Sequence, residues 1–211
     1  MTVPPQPGAE LRDTEWRFPV AGRPRKAKGA FVVLRTDEVR MPDGDLAARD
    51  VVEHPGAAAV VALDEAGQVL LIRQYRHPAR HLLWEIPAGL RDVPGELVHR
   101  TAERELREET GYTARTWHVL ADCYTSPGIS TERVTVFLAR GLAGVPDAER
   151  GPPLRHEEAY LVPAWVPLDH AVQLFLAGEL HNGVAAVGIL AAYAAREGGF
   201  AMLREAGAGE G

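Results

Sequence analysis

Residues 89–112 read GLRDVPGELVHRTAERELREETGY, and residues 97–110 within them form one strongly helical segment that Gly111 stops. Its charges are arranged at a cost. Glu105 and Glu109 are four apart, so both carboxylates project from one face, and Glu108 stands beside them at three from Glu105. Like charges at such spacings each cost about 0.2–0.5 kcal/mol in an isolated helix. Glu108 and Glu109 also occupy the last turn, where the negative end of the helix dipole disfavours anions by about 0.3–1 kcal/mol. Two readings follow. In one, Arg100, Arg104 and Arg107 neutralise a solvated face, with Arg104 and Glu108 as an i,i+4 pair. In the other, a hard divalent cation relieves the clustered carboxylates, and oxygen-only ligands select Mg²⁺ or Mn²⁺ over zinc. The Pro87-Ala88-Gly89 turn ahead of the helix and Gly95-Glu96 beside it favour the second reading.

Outward from this segment the chain is mixed α/β without a strict βαβ rhythm. Toward the N-terminus, residues 30–41, the turn Pro42-Asp43-Gly44 and a run through Val52 predict a hairpin. Residues 57–63 and 68–75, rich in Val, Ile and Leu, flank Asp64-Glu65-Ala66-Gly67 and predict a second hairpin. Toward the C-terminus, residues 116–124, 133–139 and 159–166 read as strands. In the second of these, Val134, Val136 and Leu138 alternate with Thr135 and Phe137. Asp169 is placed to cap a helix ending at Gly178, and Asn182 to cap the last one. The expected organisation is a flexible segment over 1–29, an N-terminal strand region over 30–53, a main domain over 54–200 and a tail over 201–211.

The chain has 211 residues, 46% hydrophobic and 25% charged, which fits one folded domain with an extra terminal element. Lys+Arg 23 against Asp+Glu 29 gives a net charge of −6, an unfavourable field for nucleic acid, so none is expected as a partner. The basic cluster Arg23, Arg25, Lys26 and Lys28 reads as a solvated linker. Residues 1–15 lack the basic start and apolar run of a signal peptide. The apolar stretch 184–195 is far shorter than the roughly 20 residues a membrane span needs, and reads as a buried core helix. No membrane association is expected. The single cysteine, Cys123, excludes an internal disulfide and a Cys-rich zinc cage, which suits a reducing, cytoplasmic setting.

Residues 89–112 resemble the Nudix box, Gly-x5-Glu-x7-Arg-Glu-U-x-Glu-Glu-x-Gly-U, where U is aliphatic or aromatic. The match is complete from Glu96 through Tyr112. Six residues rather than five separate Gly89 from Glu96, a departure confined to the loop before the helix, so it bears on the role of Glu96 alone. The resemblance covers roughly residues 25–195. It implies an α/β Nudix fold, a mixed β-sheet sandwiched between helices, with the N-terminal hairpin region added. It also implies a hydrolase acting on phosphorus-containing anhydride bonds. Mg²⁺ would be held by the Ala88 backbone carbonyl, Glu105 and Glu109, with Glu108 in the catalytic set.

The flanks resemble the ADP-ribose pyrophosphatase subgroup: Val51-Val52-Glu53-His54, Gln74-Tyr75-Arg76-His77, residues 84–90, Pro127 in Ser126-Pro127-Gly128, and His156-Glu157-Glu158-Ala159. ADP-ribose, cleaved to AMP and ribose 5-phosphate, is therefore the implied substrate. Other nucleoside diphosphate sugars or dinucleotides are the alternatives, and a non-cleaving nucleotide sensor is a third. The likeness implies Arg76 on the pyrophosphate, an Arg76–Glu85 strand-end ion pair being the competing reading. It implies Glu158, or Glu157 in its place, as an additional carboxylate at the metal. Phe31 and Arg49 are candidates for adenine and phosphate contacts, with core or surface roles as alternatives. A homodimer sharing its N-terminal strands is implied as well.

Overall fold

The computed structural model describes residues 15, 17–154 and 156–207. The chain divides into two units, Met1–Pro55 with Ser126–Glu132, and Gly56–Thr125 with Arg133–Gly211.

In the first unit, β1 (Val20–Lys28), β2 (Val33–Arg40) and β3 (Leu46–Glu53) form an antiparallel sheet in that order. The β2–β3 hairpin is the one expected around Pro42-Asp43-Gly44, closed by Met41 N–H donating to the Asp45 carbonyl at 2.8 Å. The linker expected over Arg23–Lys28 is corrected: these residues are β1. They hid because β1 is exposed along nearly its whole length, so no apolar alternation marks it. Pro24 falls where the β1–β2 register shifts, the place in an edge strand where its missing N–H matters least. Of the expected flexible segment, residues 1–14 and 16 lie outside the described residues. Residues 126–132 join this unit through Val52, whose N–H donates to the Ile129 carbonyl at 2.7 Å and whose carbonyl accepts from Thr131 N–H at 3.0 Å.

The second unit carries β4 (Ala57–Ala62), β5 (Gln68–Arg76), β6 (His81–Glu85), β7 (Ala88–Leu90), α1 (Val98–Thr110), β8 (Tyr112–Tyr124) and β9 (Arg133–Gly144). After a short 3₁₀ turn, His156–Tyr160, follow β10 (Val162–Pro167), α2 (Leu168–Leu176), α3 (Gly183–Arg196) and β11 (Arg204–Glu205). Five strands form a mixed sheet, β11-β8-β9-β4-β7, in which β4 and β9 run parallel; β10-β5-β6 form an antiparallel sheet of three. Strand alternation sends side chains to two cores. Ala59, Val61, Val136 and Leu138 pack with Leu168 of α2 and Ala185, Ile189 and Ala192 of α3. On the opposite face Val60, Ala62 and Phe137 pack with Leu70 of β5 and Ala102 and Leu106 of α1. The helices thus cover both faces, as the Nudix resemblance implies.

Three further details depart from the sequence reading. The runs 57–63 and 68–75 are not a simple hairpin, because β4 and β5 belong to different sheets and their β-pairing is limited to the isolated Leu63–Val69 bridge among the described residues. The turn joins them, but the all-apolar β4 is claimed on both edges, by β9 and β7. Asp169 does not cap α2: it lies inside the first turn and pairs with Arg196 of α3 at 2.6 Å, leaving Pro167 at the cap. Arg204–Glu205, expected in the tail, pair with β8; residues 208–211 lie outside the described residues. Asn182 does cap α3, its side chain accepting from Ala185 N–H at 2.8 Å. Asn182→Ala is expected to lower unfolding free energy by about 1 kcal/mol, measured by urea denaturation, because the first turn loses this acceptor. An unchanged midpoint would disprove the cap's contribution.

Candidate active site

Helix α1 buries Thr101, Ala102, Leu106 and Glu109, so the stripe that packs on the sheet carries a carboxylate at its C-terminal end. Gly111 ends the helix in the left-handed region (φ 74°), its N–H donating to the Arg107 carbonyl at 2.9 Å. Glu109 is only 7% exposed, and its carboxylate accepts from the Ala88 N–H at 3.0 Å. This bond ties the helix end to β7. One residue on, Gly89 meets Glu105: a Cβ on Gly89 would lie 2.1 Å from the Glu105 carboxylate. Glycine is present there because the carboxylate occupies that space.

Glu96 is also placed. Leu97 stands at the N-cap of α1 without a side-chain cap, and Glu96 instead accepts from the Thr101 hydroxyl at 2.8 Å and from Arg104 at 3.1 Å. The extra loop residue is absorbed and Glu96 anchors the first turns. The hydrogen bond from Arg104 holds its carboxyl below the ordinary range. Arg104 in turn bonds Glu105 and stands 3.7 Å from Glu108, linking both to Glu96. Burial opposes the charge on Arg104, but Glu96 and Glu105 outweigh it and hold the guanidinium above its ordinary value.

The carboxyl groups are strained electrostatically. Burial pushes Glu105 up to about 7; Arg104 opposes this, while Glu108 and Glu158 add to it. Burial likewise pushes Glu109 well above its usual value, with Glu105 and Glu158 adding repulsion against the Ala88 hydrogen bond and the charge of Arg76. Glu158, exposed on the 3₁₀ turn before β10, is near enough for its charge to add to both shifts. Among the described residues no three His, Cys, Asp or Glu side chains are gathered as a finished ligand cage. Even so, the donors fit a hard divalent ion: all are oxygens, and their burial and mutual repulsion are what such an ion offsets.

At the end of β5, Arg76 grips Glu85 through Nε at 2.9 Å and Nη2 at 2.6 Å. Glu85 is 3% exposed whereas the Arg76 side chain is 42% exposed, so the buried carboxylate holds a guanidinium that remains open on one side. The ion pair anticipated as the competing reading exists. The hydrogen bond to Glu85 raises Arg76 above its ordinary value, and the charges of Glu109 and Glu158 add to this.

The other sequence candidates belong to the first unit. Phe31 is 59% exposed, with its ring edge-on to His54 at 5.7 Å. Arg49, on β3, lines a cavity of about 660 Å³ together with Arg17, Arg23, Arg35 and Asp37. Pro127 is exposed in the segment after β8. Sequence reasoning missed two structural partners of the site, the Glu96–Arg104 anchor and the Gly89–Glu105 approach. Their signals were present, as a glutamate eight before an arginine and a glycine directly before the box loop, but only folding shows that they meet.

A family model describing the NUDIX domain matches residues 53–186, more than half of the chain, and the chain belongs to the Nudix family of hydrolases. It is 49% identical over 178 residues to the ADP-ribose pyrophosphatase of Mycobacterium tuberculosis (strain ATCC 25618 / H37Rv), covering 83% of each protein. To the ADP-ribose pyrophosphatase of Bacillus subtilis (strain 168) it is 35% identical over 161 residues, covering 76% of this chain and 84% of that one. A crystal structure of an ADP compounds hydrolase superposes with a TM-score of 0.73 at 18% identity, covering 89% of this chain and 98% of its own, which supports the fold. Nudix hydrolases generally need a divalent metal ion. No helix among the described residues is long and apolar enough to cross a membrane.

Proposed function

We propose that this chain is an ADP-ribose pyrophosphatase that adds water across the diphosphate of ADP-ribose, giving AMP and ribose 5-phosphate, with Mg²⁺ as the working metal and Mn²⁺ as a substitute. The observation that carries the reading is the buried Glu109 tied to the Ala88 N–H with Glu105 against Gly89, carboxylates whose charges are opposed further by that of Glu158. The two relatives named as ADP-ribose pyrophosphatases support the choice of substrate.

Glu105, Glu109, Glu158 and the Ala88 carbonyl would hold the metal. A divalent ion there neutralises charge on the phosphoryl oxygens and lowers the pKa of water. The chain's own groups do the positioning. Arg76 presents the open side of its guanidinium to the diphosphate, and Glu85 fixes the direction of the fork. Arg104 keeps Glu105 and Glu108 in place from the Glu96 side, and the Ala88 N–H fixes Glu109. Phe31, Arg49 and Pro127 belong to this reading as substrate contacts, and a homodimer built with the N-terminal strands belongs to it as well. The exposure of Phe31 and the position of Arg49 in an arginine-lined cavity are what support them. A cytoplasmic setting fits a chain whose single cysteine is Cys123.

The test is a panel of nucleoside diphosphate sugars and dinucleotides at saturating Mg²⁺, with the products of ADP-ribose identified. A preference of at least tenfold for another compound overturns the substrate. Exhaustive EDTA treatment is expected to abolish turnover and added Mg²⁺ to restore it, and full activity in EDTA overturns the metal requirement. Hydrolysis in ¹⁸O-labelled water identifies the phosphorus attacked. The dimer is tested by mass in solution at micromolar concentration, where a fully active monomer contradicts it. Truncation through residue 29 removes β1, so it alters the N-terminal sheet and does not serve as a control for the dimer.

A further inference from the structure

One buried side-chain oxygen on the α1 side of β5 has no hydrogen-bond partner among the described residues. Gln74 is 6% exposed, and its Oε1 is fully enclosed and meets no hydrogen-bond donor among the described residues. Successive strand residues alternate faces, so Leu70, Ile72, Gln74 and Arg76 share one side of β5. That side faces α1, since Leu70 packs in the same cluster as Ala102 and Leu106. Gln74 therefore lies between buried Ile72 and Arg76, at the strand end where Arg76 feels Glu109 and Glu158. Its cross-strand neighbour is Leu83, which offers no polar group.

A buried amide oxygen without a donor destabilises the fold, and an apolar residue of similar length would pack there without that cost. A local rule broken beside a reaction site marks a group kept for a ligand. The chemistry narrows that ligand. Ionised phosphate oxygens only accept hydrogen bonds, so they leave an enclosed Oε1 unsatisfied, whereas a sugar hydroxyl donates. We propose that Gln74 is a substrate-binding residue whose carboxamide, turned inward in this structure, rotates about its side-chain bonds so that its oxygen accepts a hydrogen bond from a ribose hydroxyl of the nucleoside diphosphate sugar. The inference rests on the proposed function for the identity of the sugar.

The experiment compares wild type with Gln74→Met and Gln74→Leu, which keep bulk and remove the acceptor, using ADP-ribose and analogues lacking single ribose hydroxyls. In both variants KM is expected to rise tenfold or more with kcat less affected, while the thermal midpoint stays level or rises. The analogue lacking the contacted hydroxyl is expected to be turned over equally well by wild type and variants. KM within twofold of wild type overturns the proposal. So does a loss confined to kcat together with a lower thermal midpoint, the mark of a packing role. If wild type prefers another nucleoside diphosphate compound, the ADP-ribose reading fails by itself. The same variants are then measured on that compound, where a KM effect upholds Gln74 and its absence overturns it.

Discussion

Glu109→Gln and Glu105→Gln should each lower turnover at saturating Mg²⁺ by well over about 100-fold, since residues that merely support a metal ligand are commonly worth about 10–100-fold. The amide keeps shape and removes charge. In Glu109→Gln the side-chain oxygen still accepts from the Ala88 N–H, so the tie between α1 and β7 survives. What is lost is a negative oxygen for the metal, and with it charge stabilisation in the transition state. The fold should not suffer. Both carboxyls are pushed upward first by burial and further by neighbouring carboxylates, so in metal-free protein their charges oppose folding. Thermal unfolding in EDTA is accordingly expected to occur at the same temperature or higher in either variant. Near-wild-type turnover with Mg²⁺ would remove the metal assignment, and a large fall in the metal-free midpoint would show that these glutamates hold the helix together.

That opposition between stability and function made this part of the chain legible in sequence. Glutamates at 105, 108 and 109 break helix rules in a way that packing alone gives no reason for, and in the structure Glu105 and Glu109 are buried carboxyls opposed by further negative charge. Strands 57–63 and 133–139 were legible because their side chains are buried, and Val134, Val136 and Leu138 fall in one core while Phe137 falls in the other. Strand β1 was not legible, because an exposed edge strand held by backbone pairing leaves no periodic trace in its side chains. The pairing of β4 with β9 was equally hidden. The turn at 64–67 announces its neighbours in sequence, whereas a parallel partner more than seventy residues away is chosen by the packing of the whole sheet. Asp169 shows the same limit at the scale of one residue: its spacing suited a cap, and the arrival of Arg196 from α3 drew its carboxylate elsewhere.

Gly89→Ala should separate the site from the fold more sharply than any charge change. The new Cβ would fall 2.1 Å from the Glu105 carboxylate and 2.6 Å from its Cγ, closer than non-bonded atoms approach. The intruding group is the far end of a side chain, so Glu105 can turn away at small cost to the backbone. Once displaced it leaves both the Glu109 side of the site and its bond to Arg104. Turnover is therefore expected to fall about as far as in Glu105→Gln, and at least about 100-fold, because displacing a metal-binding carboxylate by about an ångström is as damaging as removing it. The midpoint in EDTA should stay close to wild type, since residue 89 keeps its pairing with Ala58 and no apolar core atom moves. The double variant Gly89→Ala/Glu105→Gln supplies the decisive comparison. If the methyl group acts by displacing Glu105, the two changes are strongly non-additive and the double variant is little worse than either single one. Additive losses would mean that Gly89 serves the site by a route that does not pass through Glu105.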